Sequence, residues 1–147
     1  NLGKRLVKTP KVYFLDTGFL CYLNGITQTH QVFKGPTAGS LLETVVLGEL
    51  LREFYARGEI PRIFWWRTSD GQEVDFVVER RGRLIPMEVK LSTQQNREMI
   101  RGLVSFVELF RSEVERAYLV NMADRPVALH DRIHTLPCEV LLRRTIV

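Results

Sequence analysis

Apolar residues recur at two different spacings along the chain, and the change of spacing separates helices from strands. From Ser40 to Arg57 they recur every three or four positions, which predicts an amphipathic helix, and this spacing returns from about Thr93 to Arg111. Between these helices, three short runs have the pattern of strands: RIFWWR, QEVDFVVE and RLIPMEVK. Another strand is predicted at RAYLVNM, and HTLPCEVLL is predicted to be a final short strand or turn. The order helix, three strands, helix, strand predicts an α/β domain around a mixed sheet.

Residues 1–35 precede this pattern and differ from it in composition. The basic stretch GKRLVKTPK is followed by KVYFL, which predicts a short strand. Asp16 is the expected N-cap of a short helix that ends at Gly25, and QTHQVFKGPTAG has the composition of a loop. We therefore divide the chain into an N-terminal segment, residues 1–35, and a main domain, residues 36–147. Because the sequence begins with Asn1 rather than Met, we expect it to be part of a longer protein.

Composition and charge narrow the class of protein. A chain of 147 residues suffices for one domain with a real core, and 45% hydrophobic and 26% charged residues are ordinary for a soluble protein. No apolar run approaches the roughly 20 residues that span a bilayer, so we expect no membrane partner. The cysteines Cys21 and Cys138 match no metal or redox spacing and suit a reducing, cytoplasmic setting. The net charge of +4 favours polyanions only mildly.

The second and third strand runs are separated by so few residues that they predict a hairpin of defined register. With a two-residue turn at Arg81 and Gly82, Asp75 lies directly opposite Glu88, and a four-residue turn gives the same pairing. A three-residue turn changes the pairing unless a bulge restores it. In this register the other face of the hairpin is wholly apolar, and its residues are Val74, Phe76, Val78, Ile85, Met87 and Val89.

The predicted pairing of Asp75 with Glu88 has a chemical consequence. Two facing carboxylates repel each other, which raises the pKa of one of them or requires a cation between them. Lys90 follows on the same face and supplies one positive charge, and a hard divalent ion with oxygen ligands would supply more. Lys90 is the only lysine after Lys34 in a region whose other basic residues are all arginine, which suggests a chemical requirement rather than chance. The alternative is that this face of the hairpin is simply solvated.

Glu43 is the third acidic residue in an unexpected position. On the predicted helix it lies in the middle of the apolar stripe formed by Val46, Leu47, Leu50 and Phe54. One interpretation is a capping box, in which Ser40 is the N-cap and Glu43 accepts a hydrogen bond from its amide. The other is that the helix N-terminus enters a site with the hairpin carboxylates, and the two roles are compatible.

Together these residues resemble a known superfamily. Glu43 on a first helix, Asp75 on a strand and the EVK triplet from Glu88 to Lys90 on the next strand are similar to the motif of the PD-(D/E)xK nucleases. The position before the motif aspartate, often proline, is Val74 here. The resemblance implies a restriction-endonuclease-like αβββαβ core, with a central mixed sheet flanked by helices.

Four longer blocks carry a narrower resemblance. They are KTPKVYFLDTGFL, GSLLETVVLGELL, FWWRTSDGQEVDFVVE and LIPMEVKLS, and they span most of residues 8–92 in order. They resemble an uncharacterised domain family that forms the C-terminal part of AAA-type ATPases of bacteria and archaea. This implies that an ATPase module and a winged-helix segment precede Asn1, and that residues 1–35 include the last part of that segment.

The superfamily resemblance implies a metal-dependent mechanism. Asp75, Glu88 and the backbone carbonyl of Val89 would hold Mg²⁺ or Mn²⁺, and Lys90 would orient the attacking water or stabilise the transition state. Glu43 would act from the metal's outer shell or hold a second ion. Of the adjacent Trp65 and Trp66, one is expected in the core and one at the edge of the cleft. The residues expected to line the cleft or contact DNA are Arg67, Ser92, Gln94, Trp66 and Arg81, the last also compatible with a solvated hairpin tip.

The function expected from these residues is hydrolysis of DNA phosphodiesters by a metal-dependent endonuclease-like domain attached to an ATPase. The alternative is a catalytically inactive nuclease-like module that binds DNA, binds partner proteins or mediates oligomerisation of the ATPase. The sequence leaves open the form of the DNA and the oligomeric state.

Overall fold

A five-stranded mixed sheet forms the centre of the molecule. The computed structural model describes residues 10–143. The strands are β1 Ile63–Arg67, β2 Glu73–Arg80, β3 Arg83–Val89, β4 Ala117–Asn121 and β5 Ile133–Pro137. They lie side by side in chain order, with β1, β2 and β3 antiparallel and β3, β4 and β5 parallel.

Helices pack on both faces of this sheet, which confirms the predicted α/β class. The helices are α1 Thr17–Leu23, α2 Thr29–Lys34, α3 Ala38–Ala56, α4 Arg101–Leu109 and α5 Cys138–Arg143. Helix α3 packs with Phe76, Val78 and Met87 in one core cluster, whereas α4 packs with Val74 and Val77 in a second. Because neighbouring residues of β2 enter different clusters, the two helices cover opposite faces of the sheet. The order from α3 to β4 agrees with the predicted helix, three strands, helix, strand.

The hairpin between β2 and β3 has the predicted register. Arg80 lies opposite Arg83, and the pairing continues to Phe76 opposite Met87. Arg81 and Gly82 have φ values of 51° and 75°, so both turn residues are left-handed, as a two-residue type I′ turn requires. The register of this hairpin is therefore set locally, by the turn and by the alternation of the strands.

The predicted single apolar face of the hairpin is wrong at one residue. All of its members are at least partly buried, but Val74 packs in the α4 cluster rather than with Phe76. The reason is a register shift against β1, where Val77 lies opposite Phe64 and Val74 lies opposite Trp66. Two residues of β2, Asp75 and Phe76, thus oppose the single residue Trp65, which is a β-bulge and reverses the alternation.

Two predictions for the N-terminal segment are also wrong. The KVYFL stretch forms no strand, because its Lys11 and Tyr13 side chains bind carboxylates of the main domain instead of pairing their backbone with the sheet. Part of the expected loop is helix α2, where Gln31 Oε1 accepts hydrogen bonds from the amides of Thr27 and Gln28, each at 2.9 Å. The short helix capped by Asp16 is confirmed, since its side chain accepts from the Phe19 amide at 2.8 Å.

Helix α4 begins later than its periodicity predicts. Asn96 Oδ1 accepts a hydrogen bond from the Met99 amide at 3.0 Å, and a 3₁₀ turn, Glu98–Ile100, precedes the helix. Side-chain bonds of this kind compete with helix formation. The apolar side was predicted correctly, and its members Met99, Leu103, Phe106, Val107 and Phe110 all belong to the second core cluster. At the C-terminus, the predicted strand is β5, and α5 follows it where only a strand or turn was expected.

Two further expectations concern the membrane and the division of the chain. Among residues 10–143, no helix combines the length and the hydrophobicity needed to cross a membrane. The division at residue 35 stays a prediction, and residues 1–9, which contain most of the basic opening stretch, lie outside the described part.

Candidate active site

An acidic cavity of about 400 Å³ lies where β2 and β3 approach α3 and α4. We call it the acidic cavity. Among the residues that line it, the acidic side chains outnumber the basic ones, with Lys90 and Arg101 against Glu43, Asp70, Glu73, Asp75, Glu88 and Glu98. An excess of carboxylates around one space creates a negative potential that attracts cations.

Asp75 lies at the point where the pairing of β2 with β3 ends. It is only 5% exposed, at the bulge and one residue beyond the pair of Phe76 with Met87. Its Oδ2 accepts a hydrogen bond from the Val89 amide at 2.9 Å, in place of a backbone partner. Its Oδ1 accepts a hydrogen bond from Lys11 Nζ at 3.1 Å. The strand end thus holds this carboxylate in a defined orientation toward the cavity.

Glu88 and Lys90 form an ion pair on the neighbouring strand end. Lys90 Nζ donates to Glu88 Oε1 at 2.6 Å, and Glu88 is 7% exposed. Burial, and then the nearby charge of Asp75, raise the pKa of Glu88 to about 7, although Lys90 opposes the shift. Burial opposes the charge on Lys90, but the Glu88 carboxylate outweighs it and the pKa of Lys90 is raised. Glu88 Oε2 is buried and has no hydrogen-bond partner within the described residues.

Glu43 reaches the same cavity from α3. Its Oε2 accepts a hydrogen bond from the Tyr13 hydroxyl at 3.4 Å and lies 3.8 Å from Lys11 Nζ. Burial, followed by the charge of Asp75, raises the pKa of Glu43. The capping-box interpretation is wrong, because α3 begins at Ala38 and Ser40 is already inside the helix.

Lys11 was not predicted to belong to the site. Its ammonium forms ion pairs with Glu43, Glu73 and Asp75, and only Glu43 and Asp75 were expected there. Burial lowers the pKa of Lys11, but the hydrogen bond to Glu73 and the charge of Asp75 outweigh burial, so the pKa of Lys11 is raised. Burial raises the pKa of the neighbouring Tyr13 to about 12. The N-terminal segment therefore neutralises part of the acidic cavity.

Other predicted cleft residues lie elsewhere. Trp66 is buried against Phe106 in the second core cluster, with ring centroids 5.5 Å apart. Its neighbour Trp65 instead lies beside Lys11, whose Nζ is 5.9 Å from the ring centroid. The strand alternation separates the two indoles, as expected, but the assignment of Trp66 to the cleft is wrong, because Trp66 lies on the face of β1 that packs in the second core cluster.

The remaining predicted residues are at the surface near or away from the acidic cavity. Arg67 is about half exposed and lies 3.7 Å from Glu73, at the rim of the cavity. Ser92 Oγ donates to the Gln94 backbone carbonyl at 2.9 Å and accepts from the Gln94 backbone amide at 3.1 Å, so the two residues form a local turn outside the cavity lining. Arg81 is exposed at the hairpin turn and borders a separate cavity with Arg80, Arg83 and Arg116.

Most of the site residues lie in a region that matches one protein family. Residues 38–141 match the family described as Domain of unknown function (DUF4143). The chain belongs to the DUF4143 family. The match begins at the first residue of α3, so it includes Glu43, Asp75, Glu88 and Lys90 but not Lys11.

Two curated relatives extend the comparison beyond the DUF4143 match. They are uncharacterised proteins of Mycobacterium bovis and Mycobacterium tuberculosis, and each is 30% identical to the chain over 144 residues. The match covers 97% of this chain but only 30% of each relative. The chain thus spans less than a third of the length of these curated relatives.

This DUF4143 site could bind a divalent ion only with a small number of protein ligands. Among residues 10–143, no group of three or more His, Cys, Asp or Glu side chains is arranged to hold a metal by itself. Mg²⁺, however, is often held by one or two carboxylates together with waters and substrate phosphates. Glu88 Oε2 is buried, has no hydrogen-bond partner among residues 10–143 and shares the cavity with Asp75, so it fits such a requirement. The contribution of the Val89 carbonyl stays a prediction.

The site residues that the sequence analysis missed had only weak signals. Glu73 and Asp75 are separated by one residue on a strand, and Lys11 and Tyr13 are likewise separated by one residue in an extended segment. Such a spacing points both side chains of a pair in one direction. Lys11 lies in a stretch that contains other lysines, and a contact across 64 positions of chain is not visible in any local pattern.

Proposed function

We propose that this DUF4143 domain is a metal-dependent DNA endonuclease of the PD-(D/E)xK type, with a restriction-endonuclease-like core. The observation that carries the proposal is the arrangement around the acidic cavity. Asp75 and the pair of Glu88 with Lys90 lie at adjacent strand ends, and Glu43 joins them from α3. Carboxylates with one ammonium, next to a cavity with excess negative charge, suit an ion that binds a phosphodiester.

Each residue of this arrangement has a proposed role. Asp75 and Glu88, with the Val89 carbonyl, would hold Mg²⁺ or Mn²⁺. When bound, the ion supplies Lewis-acid stabilisation of the phosphate and a water of lowered pKa. Lys90 would neutralise charge that develops on the phosphate, because its ammonium is held 2.6 Å from Glu88 Oε1. Glu43, whose pKa is raised, would act outside the first ring of ligands by orienting water.

The attached ATPase is part of the same proposal. The curated relatives are more than three times as long as the matched region, which leaves room for further domains in a protein of this kind. Helices α1 and α2 have no buried residue, and their apolar side chains suit a contact with such a domain. We propose that this face packs against the ATPase part of a longer polypeptide.

Nicking of supercoiled plasmid DNA with Mg²⁺ or Mn²⁺ tests the nuclease proposal. Wild type should nick the plasmid, whereas Asp75→Asn and Lys90→Ala should lower the rate at least 100-fold, in line with loss of a metal ligand or of transition-state stabilisation. Glu139→Gln is the matched control, because Glu139 is exposed and its ion pair in the described part of the chain is with Arg143 on α5. Activity that survives in both site variants would show that the cavity is not the source of cleavage.

A second candidate function is supported by the ion pairs of Lys11. Its ammonium already neutralises Glu43, Glu73 and Asp75 in part, as expected for a module that binds without turnover. In that case no protein would nick DNA, while divalent ions would still raise the melting temperature of wild type but not of Asp75→Asn. This pair of results would favour the inactive DNA-binding or protein-binding module.

A further inference from the structure

A second cavity of about 330 Å³ lies beside the acidic cavity and shares Asp75 with it. It is formed between residues 11–15, α3 and β1. Its walls are mostly aromatic and aliphatic, and the main contributors are Tyr13, Leu47, Leu51, Ile63, Phe64 and Trp65. A concave site of this size with apolar walls and a few polar groups at one end is the usual form of a small-ligand pocket.

The polar end of this second cavity is its boundary with the acidic cavity. Lys11 and Asp75 both line it. Lys11 Nζ lies 3.1 Å from Asp75 Oδ1 and 5.9 Å from the centre of the Trp65 ring. A ligand that extends from one cavity to the other therefore meets an aromatic ring, then an ammonium, then carboxylates.

The aromatic walls are accessible to a ligand. Phe64 is 53% exposed, and Trp65 and Tyr13 are only partly buried. Trp65 was predicted as one of two indoles that divide between core and cleft, and it is the one beside the cavity. An accessible indole can stack on the flat face of any nucleobase, so this contact does not depend on the DNA sequence.

We propose that this second cavity binds a nucleobase adjacent to the phosphate held at the acidic cavity. We call it the base cavity, and the inference rests on the nuclease proposal for the acidic cavity. The base would stack on Trp65, while the Lys11 ammonium offers a donor to its edge. A base can enter such a cavity only when it is unpaired and unstacked from its neighbours. The substrate class is therefore DNA that is single-stranded, or locally unpaired, beside the cleaved bond.

Equilibrium binding of labelled oligonucleotides tests this inference without cleavage. The probes are a short oligothymidylate, the same length of abasic DNA, and a duplex, each with Ca²⁺ in place of Mg²⁺. Wild type should bind the thymidylate more tightly than the abasic strand or the duplex. Trp65→Ala should weaken binding of the thymidylate by roughly 5- to 100-fold, the loss expected for one stacked base, and should leave binding of the abasic strand unchanged. Phe33→Ala is the control, because Phe33 is 52% exposed on α2 and outside the base cavity.

The outcomes separate this inference from the nuclease proposal. Equal binding of thymidylate and abasic strands by wild type would overturn the base cavity, whether or not Trp65→Ala folds. If wild type nicks plasmid DNA but Trp65→Ala binds the thymidylate as tightly as Phe33→Ala does, the base cavity is wrong and the nuclease proposal stands. If binding depends on Trp65 and on the bases but no protein nicks DNA, the base cavity stands and the nuclease proposal fails. No binding to any of the three probes would overturn the base cavity.

Discussion

Lys11 has a role in the structure that its position in the sequence does not indicate. It comes from a basic stretch before the main domain, yet its ammonium lies among three carboxylates of the acidic cavity. An ammonium in that position and a divalent ion compete for the same oxygen atoms of Asp75. The charge balance of the cavity therefore depends on the N-terminal segment as well as on the main domain.

Replacing Lys11 with Met should expose this competition. Without divalent ions, Lys11→Met leaves Glu43, Glu73 and Asp75 in mutual repulsion, and the free energy of unfolding should fall by about 1–2 kcal/mol, because the ion pairs are only partly exposed. Addition of Mn²⁺ should raise the melting temperature of Lys11→Met by more than it raises that of wild type. Urea unfolding and thermal melting measure the two effects, and Lys34→Met, at an exposed position on α2, is the control. Wild-type stability in metal-free Lys11→Met would contradict the prediction.

The protonation of Glu88 should make stability depend on pH. Its pKa is raised from 4.5 to about 7, so the folded protein binds more protons than the unfolded chain between these values. The contribution of Glu88 to the stability is therefore greatest below about pH 4.5 and is lost as the pH rises through about 7. In Glu88→Gln this loss should disappear, whereas Glu139→Gln should retain it. Urea unfolding with chelator at about pH 5 and about pH 8 measures the difference, and an equal loss in Glu88→Gln would rule out Glu88 as its origin.

At the scale of secondary structure, the close approach of α4 to β2 shapes the acidic cavity. Gly102 lines the cavity at the start of α4, and a methyl group there would overlap the backbone carbonyl of Glu73. Backbone cannot give way as a flexible side chain can, so the helix itself would have to move. The position of α4 against the strand therefore depends on the lack of a side chain at this residue.

Two glycine substitutions should separate this packing requirement from helix propensity. Gly102→Ala should destabilise the protein by about 1–3 kcal/mol, the usual cost of overpacking, and should weaken metal binding because Glu73 borders the cavity. Gly48→Ala in α3 meets no atom within 4 Å and should stabilise by about 0.5–1 kcal/mol, since glycine weakens a helix interior. Chemical unfolding of both variants measures the difference, and a stabilised Gly102→Ala would contradict the predicted contact.

At the scale of the whole molecule, apolar side chains are unevenly distributed over the surface. Within residues 10–143, seven of the thirteen exposed large hydrophobic residues lie between positions 12 and 33. They are Val12, Phe14, Leu15, Phe19, Tyr22, Leu23 and Phe33. Several of these rings contact one another, with centroids of Phe14 and Phe19 5.5 Å apart. An apolar surface of this kind marks an interaction site more often than a solvated face.

The proposed contact with the rest of a longer polypeptide can be measured by hydrogen exchange. The backbone amides of α1 should exchange more slowly in the longer protein than in residues 1–147 alone, because packing on this face restricts local opening. The amides of α4, which already pack in the second core cluster, serve as the control and should be unchanged. Equal exchange of α1 in both proteins would show that this surface is not covered by the attached domain.

The features that can be predicted from the sequence are those that arise from local pattern and local sterics. The hairpin register follows from Arg81 and Gly82 in a type I′ turn, because a two-residue connection leaves one pairing for the strands. The apolar side of α4 follows from helical periodicity, and the order of elements from α3 to β4 follows from the change of period. The candidate site residues Asp75, Glu88 and Lys90 follow from the same pattern, since Asp75 and Glu88 lie on two strands joined by that turn and Lys90 comes directly after the second strand.

In contrast, the packing of the folded chain determines which distant groups meet and which face each strand residue presents. The bulge at Asp75 and Phe76 depends on the pairing with β1, and it sends Val74 to the second core cluster. Packing of the second core cluster on one face of β1 buries Trp66, so Trp65 is the indole beside Lys11. The ion pairs of Lys11 join residues more than thirty positions apart, where no periodicity links one end to the other. Such contacts result from the packing of whole elements, because electrostatic and steric fit acts through space and leaves no spacing in the sequence.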